Sequence, residues 1–167
     1  LRNRLLNFLS QTNTDFELII SNNLSTDSTD EICKQFMNKD NRIKYIVQEK
    51  NEGGIWNFHF VLNEANTPYF VWAGVDDIWE KNFLKENINF LENEEKFVGS
   101  IGNVKTYGII DDREFSNKII VNFVKKCRLG KYGPHEALGT YGKKVRIYLN
   151  ANSAQAVYGV FRTDALK

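Results

Sequence analysis

The chain has 167 residues, of which 42% are hydrophobic and 26% are charged, and its formal net charge is +1. This length and composition suit one globular domain with a hydrophobic core of its own. The near-neutral charge and the scattered basic residues give no electrostatic reason to expect a nucleic-acid partner.

The first thirty residues or so contain a helix, a strand and the start of a second helix. The leucines of residues 1–9 fall on one helical face, so the chain opens inside a helix, and we expect the strand before it to be missing. The apolar run at residues 16–20 predicts a buried strand. Apolar residues at helical spacing then predict a second helix, for which Ser28 and Glu31 have capping-box spacing.

The alternation of helix and strand continues down the chain. Residues 43–47 alternate as in a strand, and the Gly-rich turn at residues 50–54 follows them. Residues 55–65 predict a helix, and Pro68 opens another apolar strand. A further helix is predicted over residues 81–95, after which the periodicity weakens until a final strand in AVYGVFR.

This alternation implies a mainly parallel sheet with right-handed crossovers and helices on both faces. In such α/β sheets, ligands bind outside the carboxyl ends of the strands. Each of three predicted strands ends in polar residues, namely Asn22 with Asn23, Asn51, and Asp76 with Asp77. Three strands therefore direct polar side chains toward one edge of the sheet, where we predict the functional site.

The order and spacing of several stretches resemble the family 2 glycosyltransferases, which have the GT-A fold. The stretches are QTNTDFELIISNNLSTDST, NEGG, PYFVWAGVDDIW and YGVFRTDAL. The resemblance implies an α/β, GT-A-like sheet without its first strand and its C-terminal part, in a single truncated domain over residues 1–167. Residues 1–100 would bind the nucleotide sugar, and residues 101–167 would begin the acceptor-binding part.

The resemblance also implies roles for the polar residues at the sheet edge. Asp77 would bind a divalent cation, Mn²⁺ or Mg²⁺, both of which favour carboxylate oxygens. Because Val75 stands where many relatives carry another acid, we expect one firm carboxylate ligand beside waters or phosphate oxygens. The residues implied to bind the nucleotide sugar are Asn22, Asn23, Asp27, Asn51, Gly53 and Asp76. The first two stand at positions that are usually acidic in the family, and Asn brings hydrogen bonds without charge.

Each of these residues also has a structural interpretation. Adjacent acids after a strand commonly form a turn or cap the next helix. Asp27 could organise the start of a helix instead of touching a base, and Gly54 could matter as much as Gly53. Of the two tryptophans that flank the acids, we expect Trp72 to lie in the core, and Trp79 could line a sugar pocket.

The implied reaction is an inverting sugar transfer from a UDP-, GDP- or dTDP-linked donor to a glycan, lipid-linked or protein acceptor, in cell-surface polysaccharide synthesis. The general base is unassigned, because in this family it usually follows the stretch that resembles YGVFRTDAL. Asp111, Asp112 and Asp164 are available carboxylates, but turn or helix-cap roles suit them better. The alternatives are a non-catalytic nucleotide-sugar-binding module with a degenerate site, and a nucleotidyltransferase.

The cysteines and the hydropathy bear on location. Cys33 and Cys127 match no disulfide framework and no metal-ligand spacing, which favours a reducing compartment. No apolar run reaches the roughly 20 residues that span a bilayer. We therefore predict a cytoplasmic protein, and the basic cluster VKKCR leaves open a peripheral contact with the inner face of the membrane.

Overall fold

The computed structural model describes residues 1–102, 108–110, 113–115 and 158–167. The chain divides into two compact units, one of Leu1–Ser100 with Tyr158–Lys167 and one of Ile101–Val157. All seven residues predicted to bind the nucleotide sugar or the metal belong to the first unit. The predicted division at residue 100 into donor-binding and acceptor-binding parts stays a prediction.

The helices and strands follow the predicted order. They are α1 (Arg2–Leu9), β1 (Leu18–Asn22), α2 (Thr29–Met37), β2 (Ile43–Val47), α3 (Gly54–Glu64), β3 (Tyr69–Phe70), α4 (Phe83–Asn93), β4 (Gly99–Ser100), β5 (Gly108–Ile110), β6 (Arg113–Phe115) and β7 (Val160–Arg162). A 3-10 turn at Thr163–Ala165 follows β7. Within the described ranges, no helix combines the length and the apolar character needed to cross a membrane.

The strands of the first unit form two sheets. β1 and β2 pair in parallel, from Leu18 opposite Ile43 to Asn22 opposite Val47. In the other sheet, β7 lies between β3 and β4 and runs antiparallel to both. β3 is shorter than the apolar run after Pro68 predicts, because β7 pairs with only two of its residues. In the second unit, β5 and β6 form an antiparallel hairpin.

Arg162 attaches α4 to the sheet that contains β7. Its Nε donates to the carbonyl of Phe97 at 3.1 Å, and its Nη2 donates to the carbonyl of Leu91 at 2.6 Å. Leu91 lies in the last turn of α4, where carbonyl groups have no partner within the helix. The arginine of the YGVFRTDAL stretch therefore satisfies a helix end in this chain.

Helix α1 contacts both apolar clusters of the first unit. Leu5 packs with Phe36 and Ile43 in the cluster beneath β1 and β2. On the other side, the ring of Phe8 lies 4.7 Å from that of Trp79, which packs against the cluster beneath α4. The four leucines do not form a single buried face as the spacing predicts, because Leu6 is 56% exposed, and α1 instead buries Leu5 and Phe8.

Helix α3 buries only part of its apolar face. Leu62 and Ala65 are buried, whereas Ile55 is 82% exposed and Phe58 is 41% exposed. Trp72 packs its ring on Phe58 with the centroids 5.8 Å apart, and its Nε1 donates to the carbonyl of Phe58 at 3.1 Å. Trp72 therefore lies partly exposed against α3, and its expected place in the core is wrong.

Candidate functional site

Side-chain amides join the loops that follow β1 and β2, which we call the amide loops (residues 23–28 and 48–53). Asn23 Nδ2 donates to Asn51 Oδ1 at 2.8 Å, and Asn23 Oδ1 accepts from the backbone N–H of Glu52 at 3.0 Å. Asn51 Oδ1 also accepts from the backbone N–H of Gly53 at 2.9 Å. The parallel pairing of β1 and β2 places both loops at the carboxyl end of the sheet, where ligands bind in α/β folds.

Gly53 supplies the backbone conformation from which α3 begins. Its φ of 85° lies in the left-handed region, which glycine enters without steric cost. It is the N-cap residue of α3. Gly54 needs no such conformation, so the backbone requirement in the pair falls on Gly53.

Asn22 faces the interior of the protein and is 4% exposed. Its Oδ1 accepts from the backbone N–H of Ser25 at 2.8 Å, and its Nδ2 donates to the hydroxyl of Tyr45 at 2.8 Å. The Tyr45 hydroxyl in turn donates to Asp30 Oδ1 at 3.0 Å. Both polar ends of Asn22 are therefore engaged by the protein itself.

Asp27 is exposed and organises the start of α2. Its Oδ1 accepts from the backbone N–H of Thr29 at 3.0 Å, and hydrogen bonds from Thr29 hold the pKa of this carboxyl below its usual value. Ser28 occupies the N-cap position but makes no side-chain cap bond, so the predicted capping box is wrong. The reason is that Ser28, with φ −71° and ψ 9°, lacks the extended geometry of a capping serine.

Residues 74–77 form a tight turn after β3, which we call the acid turn. The backbone N–H of Asp77 donates to the carbonyl of Gly74 at 3.1 Å. Both carboxylates fold back over Gly74, since a Cβ at that residue would lie 2.7 Å from Asp77 Oδ2 and 3.0 Å from Asp76 Oδ1. Burial, followed by the charge of Asp76, raises the pKa of Asp77, and a hydrogen bond from the Gly74 backbone and the charge of Arg4 partly offset this.

The acid turn fits a hard divalent cation. Mg²⁺ is commonly held by one or two carboxylates together with water and phosphate oxygens, and Mn²⁺ favours the same ligands. The side chains that the structure describes contain no group of three or more His, Cys, Asp or Glu that could hold a metal ion. A cation at the acid turn would favour the ionised form of Asp77, whose pKa is raised by burial and then by the charge of Asp76.

Two amides hold the backbone that follows the acid turn. Asn7 Oδ1 accepts from the N–H of Trp79 at 2.8 Å, and Asn7 Nδ2 donates to the carbonyl of the same residue at 2.9 Å. Gln11, which is 3% exposed, donates through Nε2 to the carbonyl of Glu80 at 3.0 Å. Its Oε1 accepts from the N–H of Leu84 in the first turn of α4 at 3.1 Å. We call Asn7 and Gln11 the amide clamp.

Sequence reasoning missed the amide clamp and the aromatic contacts of Trp79. The Trp79 ring packs between those of Phe8 and Phe83, with centroid separations of 4.7 and 4.8 Å. It is partly buried against the cluster beneath α4, and the suggestion that it could line a sugar pocket stays a prediction. A signal for the clamp was present, because Asn7 lies beside the apolar Phe8 on the predicted helix and a second amide, Gln11, follows directly after that helix.

The predicted site residues thus form two groups within the first unit. Hydrogen bonds connect the amide loops to each other, and the acid turn is closed by its own backbone. In residues 1–102 and 158–167, no hydrogen bond joins one group to the other. Of the other carboxylates considered, Asp164 is exposed in the turn after β7, whereas Asp111 and Asp112 lie outside the described residues.

Comparison with known proteins identifies the family. The sequence model of glycosyl transferase family 2 matches residues 1–155. This chain therefore belongs to that family, which confirms the family predicted from the order of its motifs.

Relatives of known name are similar over about half of the chain. GlyG of Streptococcus pneumoniae, a glycosyltransferase, is 30% identical over 99 residues, which are 59% of this chain and 33% of GlyG. TuaG of Bacillus subtilis, named for teichuronic acid biosynthesis, is 31% identical over 83 residues, which are 50% of this chain and 33% of TuaG. The chain thus spans only about a third of the length of these relatives.

A solved structure is similar over nearly the whole chain. TarS of S. aureus superimposes with a TM-score of 0.60 at 20% identity, covering 99% of this chain and 26% of TarS. At this identity the likeness concerns the fold alone, and it confirms the predicted α/β, GT-A-like class.

Gln11→Met should destabilise the first unit. The substitution keeps the length of the side chain but leaves the N–H of Leu84 and the carbonyl of Glu80 without their partner. We expect the free energy of unfolding to fall by about 1–3 kcal/mol, as measured by urea denaturation. Gln35→Met, which removes hydrogen bonds that lie in solvent, is the control and should stay within about 0.5 kcal/mol of the parent. Equal stability of the two variants would contradict the role of the clamp.

Proposed function

We propose that this chain forms the nucleotide-sugar-binding part of a metal-dependent, inverting glycosyltransferase. The enzyme would move a sugar from a nucleoside-diphosphate donor to a glycan, lipid-linked or protein acceptor in cell-surface polysaccharide synthesis. The observation that carries this proposal is the acid turn, in which the carboxylates of Asp76 and Asp77 share one small space over Gly74. The turn follows β3 in a chain that belongs to family 2, and the resemblance of PYFVWAGVDDIW to the family's motif supports a cation at this turn.

The names of relatives support the donor and acceptor classes. One similar protein, RfbG of Shigella flexneri, is named a dTDP-rhamnosyl transferase. Another, WfaP of Escherichia coli, is named a glucosyltransferase that uses UDP-Glc and a GlcNAc-diphosphoundecaprenol acceptor. We therefore propose a UDP-, dTDP- or GDP-linked donor, with a lipid-linked or glycan acceptor.

The acid turn and the amide loops would bind different parts of the donor, the metal with its diphosphate and the nucleotide. Asp77 would hold Mn²⁺ or Mg²⁺, which when bound offsets the negative charge of the departing diphosphate, and Asp76 would contact the ribose or a water on the ion. Asn51 Oδ1 already accepts two hydrogen bonds, and Asn51 Nδ2 bonds no described residue, so this donor is available to the nucleotide. Asn23 fixes that amide in place from the neighbouring loop.

The acceptor side of the reaction requires a further group. An acceptor hydroxyl has to lose its proton to a general base within hydrogen-bond reach as it attacks the sugar. We assign this role to no described residue and place it in the acceptor-binding part of the enzyme. A protein that binds the donor and the metal but never transfers sugar would support the non-catalytic alternative.

Calorimetric titration of UDP, GDP and dTDP into the whole protein, with and without Mn²⁺, tests the proposal. We expect one nucleotide to bind in a Mn²⁺-dependent manner, and Asp77→Asn to weaken this binding at least about tenfold because the cation loses its carboxylate. Asp164→Asn removes an exposed carboxylate elsewhere and is the matched control. Nucleotide binding that needs no metal, or that Asp77→Asn leaves unchanged, would contradict the proposal.

The pKa of Asp77 gives a second, independent prediction. A raised pKa means that the folded protein holds this proton more tightly than the unfolded chain does, so stability falls as pH rises from the ordinary value of 3.8 through the raised value. Asp77→Asn should therefore raise the melting temperature of the metal-free protein at about pH 7 and change it less at about pH 4. Thermal melts at both pH values measure this. A lower melting temperature of the variant at neutral pH would contradict the electrostatics described.

A further inference from the structure

Three side chains connect the end of β1 to α2 and β2. Asn22 is the last residue of β1, Tyr45 lies in the middle of β2, and Asp30 lies in the first turn of α2. They form a chain of hydrogen bonds that runs in one direction, 2.8 Å from Asn22 Nδ2 to the Tyr45 hydroxyl and 3.0 Å from that hydroxyl to Asp30 Oδ1. None of the three is among the acids that would bind a cation.

The direction of this chain is set at Asp30. A carboxylate can only accept hydrogen bonds, and Lys34 Nζ holds the other oxygen of Asp30 at 2.8 Å. The hydrogen bonds from Lys34 and Tyr45 lower the pKa of Asp30, so it stays ionised. The single proton of the Tyr45 hydroxyl is therefore given to Asp30, and whatever group lies on the other side of that hydroxyl has to donate.

Asn22, at the other end of this series of hydrogen bonds, fixes the conformation of the loop after β1. Asn22 Oδ1 accepts from the N–H of Ser25, which closes a turn over Asn23 and Leu24. Leu24 has a φ of 63°, a left-handed conformation that leucine disfavours and that persists only where the surroundings impose it. Asn23, in the same turn, is the residue that reaches across to Asn51.

We propose that Asn22, Tyr45 and Asp30 form a positioning relay for the nucleotide-binding loop, and that this relay explains why position 22 carries an amide. Asn22 then acts through the loop and does not touch the nucleotide. The inference rests on the proposed function, since it assumes that the loop after β1 binds a nucleotide.

The relay predicts that an acid at position 22 is incompatible with the acid at position 30. Asn22→Asp places two carboxylates on one hydroxyl that has a single proton to give, so the buried acid at position 22 has to compete for that proton with Asp30, which Lys34 also holds. Adding Asp30→Asn to this variant leaves a single carboxylate beside the Tyr45 hydroxyl and reverses the direction of the two hydrogen bonds. Tyr45 then donates to the acid at position 22 and accepts from the amide at position 30, which can still accept from Lys34.

The test compares Asn22→Asp, Asn22→Asp with Asp30→Asn, and Asn22→Asp with Glu31→Gln in the whole protein. Glu31 is the exposed neighbour of Asp30, so the two double variants have the same net charge, and Asp30→Asn changes the relay whereas Glu31→Gln does not. Each variant is titrated with the nucleoside diphosphate that binds the parent protein in the presence of Mn²⁺, and each is melted without ligand.

We expect Asn22→Asp to weaken nucleotide binding at least about tenfold and to lower the melting temperature. Adding Asp30→Asn should return the affinity to within roughly threefold of the parent, whereas adding Glu31→Gln should not. Tighter binding by Asn22→Asp alone would show that position 22 contacts the nucleotide and would overturn the inference, as would equal rescue by both second changes.

The same experiment separates the inference from the proposed function. If the parent protein binds no nucleotide with Mn²⁺, the proposed function fails, and the positioning role of the relay fails with it. If the parent protein binds and the reversed relay gives no rescue, only the relay is overturned.

Discussion

The amide clamp, made of Asn7 and Gln11, is the interaction on which the rest of the candidate site depends. The β1–β2 sheet and the β3–β7–β4 sheet share no strand ladder, so the segment after the acid turn needs another anchor. The clamp supplies it with four hydrogen bonds to backbone groups, as a neighbouring strand would. Asn7 of the clamp and Leu5 both belong to α1, and Leu5 packs against the β1–β2 sheet. Helix α1 therefore connects the segment after the acid turn to that sheet.

Neutral amides, rather than charged groups, make the hydrogen bonds that join the two amide loops. An amide both donates and accepts, so Asn23 and Asn51 can satisfy each other without an ion pair. In the proposed site, the two adjacent carboxylates of the acid turn then provide the negative charge that a cation needs. Lys50 of the second amide loop is paired with Glu52, with 3.0 Å between its Nζ and Oε1 of the glutamate, so in the proposed site we expect the cation to offset most of the charge of a bound diphosphate.

Periodicity and motif order were sufficient to predict the α/β class, the order of the elements and the family. They did not predict burial, which depends on what each face meets. The spacing of Ile55 and Phe58 matches that of Leu62, yet only the C-terminal half of α3 is covered. Periodicity and motif order also did not predict the partners of Asn22, because Tyr45 and Asp30 lie in other elements and these hydrogen bonds form only in the folded protein.

The location of a bound metal tests the account most directly. Crystals of the whole protein grown with Mn²⁺ and a nucleoside diphosphate would place the ion by anomalous diffraction. The account predicts a manganese peak at coordination distance, about 2–2.5 Å, from a carboxylate oxygen of Asp77, with phosphate oxygens on the other side of the ion. A bound nucleotide whose manganese lies away from the acid turn, or that binds with no manganese at all, would contradict it.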